Sequence, residues 1–212
     1  MKQKMLIISS ILIAFMVIGC VYQLKPSKMD LEPMDLGTLE ESDKLKTELK
    51  DYVYTLANDI GERNIYHFAQ LEQTAQFIED QLKTWNYVVS SQNYPIQDKT
   101  FRNIIAEKKG LKDADQILVI GAHYDSVWMS PGANDNASGI ASLLALAHIF
   151  KNKTLNYTVR FAAFTNEEPP FFQTDKMGSM VYAQACRDKK EKVIGDPNKR
   201  SEYAEKLRKM LK

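Results

Sequence analysis

A three-layer α/β/α protein, with helices on both faces of a mostly parallel mixed sheet, is the fold that this 212-residue sequence predicts. Three segments carry that expectation. Ile117-Leu-Val-Ile120 is a continuous apolar run bounded by turn signals, the pattern of a strand buried on both faces. Residues 138–150 place Ile140, Leu143, Leu144, Ala147 and Phe150 at helical spacing, and residues 157–165 form a second apolar strand. Strand, helix, strand in that order is a βαβ unit, whose two strands run parallel.

The chain opens outside this domain. Met1-Lys-Gln-Lys4 is a positive segment and Met5 to Gly19 an apolar one, so residues 1–19 read as an export signal. Val17-Ile-Gly-Cys20 resembles a bacterial lipobox, which would make Cys20 a lipidated N-terminus and place the protein on a membrane outside the cytoplasm. An uncleaved anchor is the alternative, because apolar residues continue to Leu24 and approach the roughly 20 that span a bilayer. Residues 20–42, polar and without period, with Pro26, Pro33 and Gly37, read as a tether.

The folded domain is expected over residues 43–212. Leu45, Leu49, Tyr52, Val53, Leu56 and Ile60 mark a first helix that Gly61 stops. Leu71, Ala75, Ile78, Leu82 and Trp85 mark a second, and strands follow over Val88 to Tyr94 and Phe101 to Glu107. Lys108 to Asp115 reads as a charged turn. Beyond Glu168, Pro169-Pro-Phe-Phe172 is a stiff loop, Gly178 to Cys186 a helix, Arg187 to Lys192 a solvated charge run, and Ser201 to Lys212 a last amphipathic helix.

Composition narrows the function. Net charge is +1 and no basic aromatic stripe occurs, so nothing suggests a nucleic-acid partner. Cys186 is the one cysteine after Cys20, which leaves no internal disulfide, and it reads as a small buried residue on a helix.

Three loops carry chemistry. His123 follows the strand at Ile117 to Ile120, Asp135 lies in the loop leading into residues 138–150, and Glu167 and Glu168 follow the next strand. In an open α/β sheet the carboxyl ends of the strands gather such loops in one place. Imidazole and carboxylate are the donors that a catalytic zinc takes. Asp125, two residues past His123, is suited to hold the ring nitrogen that does not face the metal. Neighbouring glutamates point different ways in an extended segment, so Glu168 can ligate while Glu167 acts as general base. Singly these signals are weak; their combination is specific. His67 and His148 read as structural, and Trp128, Phe171 and Phe172 read equally as pocket walls or as core.

Gly121-Ala-His-Tyr-Asp-Ser126, Pro131-Gly-Ala-Asn-Asp-Asn-Ala-Ser-Gly139, Asn166-Glu-Glu168 and Gly178-Ser-Met-Val-Tyr-Ala183 resemble the co-catalytic di-zinc aminopeptidase family, with glutamate carboxypeptidase and glutaminyl cyclase as relatives. The resemblance implies two zinc ions. His123 would bind one, Glu168 the other and Asp135 both, with Glu167 as base and Asp125 behind His123. It implies hydrolysis of peptide bonds at the N-termini of peptides or proteins, Glu167 passing a proton from water to the leaving amine.

The resemblance also implies a further acidic ligand on a later strand and a final histidine. Lys192-Val-Ile-Gly195 resembles the start of such a strand, but Asp196-Pro197 follows it, and no histidine comes after His148. Each zinc then keeps two protein ligands against the usual three; Asp196 stands either as a substitute or as a plain turn residue. Three readings remain open: a shortened gene product, an inactive envelope protein retaining a peptide groove, and an enzyme completed by a partner. A single-zinc cyclase is a further alternative, and an uncovered sheet edge would invite association.

Overall fold

A computed structural model describes the backbone of residues 39–195, with side chains described from 41 to 188. The described residues fall within one compact unit beginning at Leu39. The export signal, Cys20, most of the tether, Asp196 and the helix expected at Ser201 to Lys212 lie outside them. No helix among the described residues is long and apolar enough to cross a membrane.

Helix α1 spans Leu39–Tyr54, beginning four residues before the expected start, and continues through a wider turn, Thr55–Ile60. Gly61 ends it as anticipated, with φ of 81°, a conformation in which a side chain would be strained. Helix α2, Phe68–Thr84, buries Leu71, Ala75, Ile78 and Leu82 along the face its spacing marks.

Strands β1, Val88–Ile96, and β2, Lys99–Lys108, form an antiparallel hairpin through a two-residue turn in which Gln97 takes a φ of 55°. Strand β3 spans Asp113–His123, helix α3 Ser138–Phe150 and strand β4 Tyr157–Phe164. Helix α4 spans Gly178–Gly195.

The sheet order is β1-β2-β4-β3. It is mixed, as expected, but among the described residues not mostly parallel: β3 and β4 run parallel, while β2 pairs antiparallel with both β1 and β4. The βαβ unit is therefore present, and its two strands are immediate neighbours. Helices α2 and α3 pack on one face of the sheet, with α1 against α3, and α4 contacts β2. The core lies under α2 and α3, where Ile140, Leu143, Leu144 and Ala147 meet Phe101, Ile104, Ala106, Phe161 and Ala163. Tyr87 lays its ring edge-on to Phe161 at 5.6 Å and donates its hydroxyl to the Ala147 carbonyl. That contact joins β1, β4 and α3.

Four expectations are corrected. Ile117, Leu118 and Val119 are 42, 57 and 42% exposed rather than buried on both faces, because β3 pairs only with β4 among the described residues. Among the described residues this apolar run is thus an edge strand. Lys192 to Gly195 continues α4 instead of opening a strand, its helical neighbours setting the backbone. Cys186 is exposed on α4 rather than buried, lining a cavity with Val88, Ser90 and Arg160 of the sheet. Part of the charged turn expected at Lys108 to Asp115 also joins β3, since Asp113 pairs with Tyr157.

His148 is structural, as expected. It stacks on Trp85 at 4.9 Å, and its Nδ1 lies 2.7 Å from Glu48, fastening α1 to the core. Leu144 is fully buried between α3 and the sheet. Leu144→Ala is expected to lower the unfolding free energy in urea titrations by about 3 kcal/mol.

Candidate metal centre

The parallel register sets His123 opposite Phe164, so the chain leaves β3 and β4 at the same level. The amide of Tyr124 donates to the Phe164 carbonyl at 2.9 Å, holding the two exits side by side. The loop after β3 then runs to Gly132 and enters α3 through Ala133–Ala137, carrying Asp135 back over the same edge. A ligand atom from each of His123, Asp135 and Glu168 lies within 4.8 Å of the others. Among the described residues this is the one group of three such side chains with the spacing to hold a metal ion.

Asp125 does more than orient the imidazole. Its backbone carbonyl lies 3.2 Å and its Oδ1 3.4 Å from His123 Nδ1, which leaves Nε2 facing Asp135 Oδ1 at 3.0 Å. Its two oxygens also accept the backbone N–H groups of Glu167, at 3.2 Å, and Glu168, at 3.0 Å. One buried carboxylate therefore sets the ring and the acidic loop together.

Arg63, fully buried, was missed by sequence reasoning. Its guanidinium donates to the carbonyls of Leu56, Gly61, Tyr124, Pro131 and Gly132. Burial lowers its pKa to about 10, the charge of Asp125 opposing that effect, so it remains a cation at neutral pH. Three of these carbonyls belong to the loop that delivers Asp135, and the other two tie it to the end of α1. Ser126 adds a reciprocal pair, donating its N–H to the Arg63 carbonyl while its hydroxyl accepts from the Arg63 N–H. A surface-type residue in Gly61-Glu-Arg-Asn64 gives no periodic signal, which is why spacing could not find it.

Glu167 lies outside the three-residue group. Both of its oxygens are taken by Ser179, as described below. Asn166, with φ of 60°, makes the bend that separates the two glutamates from β4 and donates its amide to Tyr94 Oη at 3.2 Å. Of the aromatic residues near the site, Phe171 is core while Trp128 and Phe172 are exposed. His67 pairs with Glu62 at 3.2 Å and joins no metal-type group.

The charges at the centre favour a cation there. Burial disfavours a charged His123, but the hydrogen bond and charge of Asp125, with Asp135 and Glu168, outweigh it and raise the ring to about 9. Burial followed by the charge of Asp135 raises Glu168, His123 pulling the other way. One nitrogen and carboxylate oxygens at this spacing fit zinc.

The mixed α/β sheet, with such donors at the carboxyl ends of adjacent parallel strands, is similar in fold to zinc exopeptidases. Residues 103–195 match Peptidase family M28, so the resemblance carried by the motifs holds. The chain is 35% identical over 144 residues to the uncharacterized protein YfbL of Escherichia coli, covering 64% of this chain and 44% of that protein. It is 38% identical over 111 residues to leucine aminopeptidase 2 of Trichophyton rubrum, covering 48% of this chain and 21% of that enzyme. The chain therefore spans less than half the length of these relatives. In fold it resembles a zinc aminopeptidase from Bacillus subtilis, with a TM-score of 0.52 at 16% identity over 57% of this chain and 61% of that one. It also resembles a glutaminyl cyclase from Fimbriiglobus ruber, with a TM-score of 0.51 at 21% identity over 68% and 50% of the respective chains.

The pKa of His123 sets a pH dependence. Below about 9 the ring holds a proton that zinc must displace, so affinity rises with pH and levels off above that value. Chelator-competition titrations are expected to show an increase of about tenfold per unit between roughly pH 6 and 8. A flat profile would remove His123 from the ligand set.

Proposed function

We propose that this chain acts as a zinc-dependent aminopeptidase, hydrolysing the peptide bond behind a free N-terminal residue. The observation that carries the reading is the meeting of His123, Asp135 and Glu168 from three separate segments, with a neighbouring carboxylate, Glu167, left out of the ligand group. The match to Peptidase family M28 and the likeness to a leucine aminopeptidase support it.

His123, Asp135 and Glu168 would hold the metal, and by the same resemblance a second ion would bind beside it. Bound there, zinc supplies Lewis-acid polarisation of the scissile carbonyl and acidifies a water to a pKa of about 7. The chain's own residues do the rest. Asp125 keeps His123 Nε2 directed at the centre and fixes the backbone that presents both glutamates. Glu167 takes the proton of the attacking water and returns it to the leaving amine. Peptide or protein N-termini are the proposed substrates.

Glu167→Gln removes the proton carrier and leaves the three ligands in place. With aminoacyl p-nitroanilides it is expected to lower kcat by about 10²- to 10⁴-fold while bound zinc, measured by atomic spectroscopy, stays at the wild-type level. Cyclised N-terminal glutamine as the product would instead identify a cyclase. A wild-type protein that binds zinc and releases no free amino acid would defeat the peptidase reading.

We further propose that the enzyme works on the outer side of a bacterial membrane, held by lipid on Cys20, on the strength of the charged, apolar and Val17-Ile-Gly-Cys20 segments. Cys20→Ser is expected to abolish labelling by an alkyne fatty acid in cells expressing the full chain. Undiminished labelling would overturn that placement.

A further inference from the structure

We infer that Ser179 is a positioning residue for Glu167, a role that rests on the aminopeptidase reading. The backbone N–H of Ser179 donates to Glu167 Oε1 at 2.6 Å, and its hydroxyl donates to Oε2 at 2.7 Å. One residue therefore holds both oxygens of the carboxylate that the reading makes the general base. The backbone N–H of Glu167 is held separately by Asp125, so the side chain is fastened at both ends.

The clamp is itself fixed. The amide of Gly178 donates to the Thr165 carbonyl at 2.8 Å, drawing the start of α4 against the end of β4. Asn103 on β2, fully buried, locks that junction by accepting from the Thr165 N–H and donating to the Gly178 carbonyl. Only glycine fits there: a Cβ on Gly178 would come within 2.5 Å of the Thr165 carbonyl oxygen and 2.2 Å of Asn103 Oδ1. Thus β2, β4 and α4 together determine where Ser179 stands.

The direction of the hydroxyl bond separates this role from helix capping. A capping serine accepts a hydrogen bond from its own helix, whereas Ser179 gives its proton to Glu167. A carboxylate oxygen has two acceptor positions, so one on each oxygen stays open after Ser179 is satisfied. Ser179 thereby restricts the glutamate to one orientation without using up its capacity to take a proton. An unrestrained glutamate would spread over several rotamers, few of which place an open acceptor position beside the reacting water.

Ser179→Ala keeps the N–H donor and frees Oε2, and Ser179→Thr restores the hydroxyl. In the zinc-loaded full chain, Ser179→Ala is expected to lower kcat about 10- to 100-fold with KM within about twofold, and Ser179→Thr to recover most of the loss. A second measurement needs no activity. In the metal-free protein, the ¹³C carboxyl resonance of Glu167, identified by its absence in Glu167→Gln, should move in Ser179→Ala and return in Ser179→Thr. An unmoved resonance overturns the inference, as does a kcat loss that follows zinc content or melting temperature and is not recovered by threonine. An active wild type with an equally active Ser179→Ala overturns the role of Ser179 alone. A zinc-bound wild type without turnover overturns the peptidase reading and the role together.

Discussion

The structure turns on the carboxylate of Asp125, 2% exposed, which joins the ends of two parallel strands. It faces the His123 ring from within the loop after β3 and accepts two backbone N–H groups from the loop after β4. A buried carboxylate is costly unless hydrogen bonds and a countercharge accompany it. Here two amides, the imidazole and the field of Arg63 serve that purpose. The groups that make its burial tolerable are those that carry or shape the candidate centre. Packing stability and site geometry are consequently the same set of contacts.

The surrounding architecture makes that joint possible. Parallel neighbours deliver their carboxyl ends to one edge, the helix between them carrying the chain back to the start of β4 so that β4 returns to that edge. Arg63 then binds the carbonyls of the connecting loop, which have no ladder partners of their own. On the opposite flank, Asn103 and Ser179 do the same for the start of α4 and the glutamate beside it. A rigid sheet with polar side chains bonded into its exits holds the acidic groups close despite their mutual repulsion. Against the opposing effect of burial, Asp125, with Asp135 and Glu168, raises the pKa of His123.

Much of this was legible in the sequence. Local periodicity marked α2, α3 and β4, because a helix or strand with one buried face repeats its apolar residues at a fixed interval. The motif residues His123, Asp135, Glu167 and Glu168 were legible as a set because their side-chain chemistry is unusual at strand ends. The resemblance to a zinc peptidase family followed from those residues and holds over residues 103–195. Periodicity failed where hydrophobicity and burial part company. Ile117-Leu-Val-Ile120 reads as doubly buried, yet it forms the edge beside β4, since apolar character does not reveal how many neighbours a strand has. Val193-Ile194 reads as strand by β-branching, yet it extends a helix already under way.

By itself, then, the sequence determined the βαβ order, the faces of the principal helices and the identities of the metal-type donors. These depend on side-chain chemistry and on spacing within a single segment. Only the tertiary structure decided that Arg63 would be spent on loop carbonyls, that Asp125 would hold both exits, and that Ser179 would meet Glu167. Each of these contacts joins segments separated along the chain, and its hydrogen bonds are directional over about 3 Å. No local pattern encodes such a meeting, because it exists only once the strands are paired and the helices have packed.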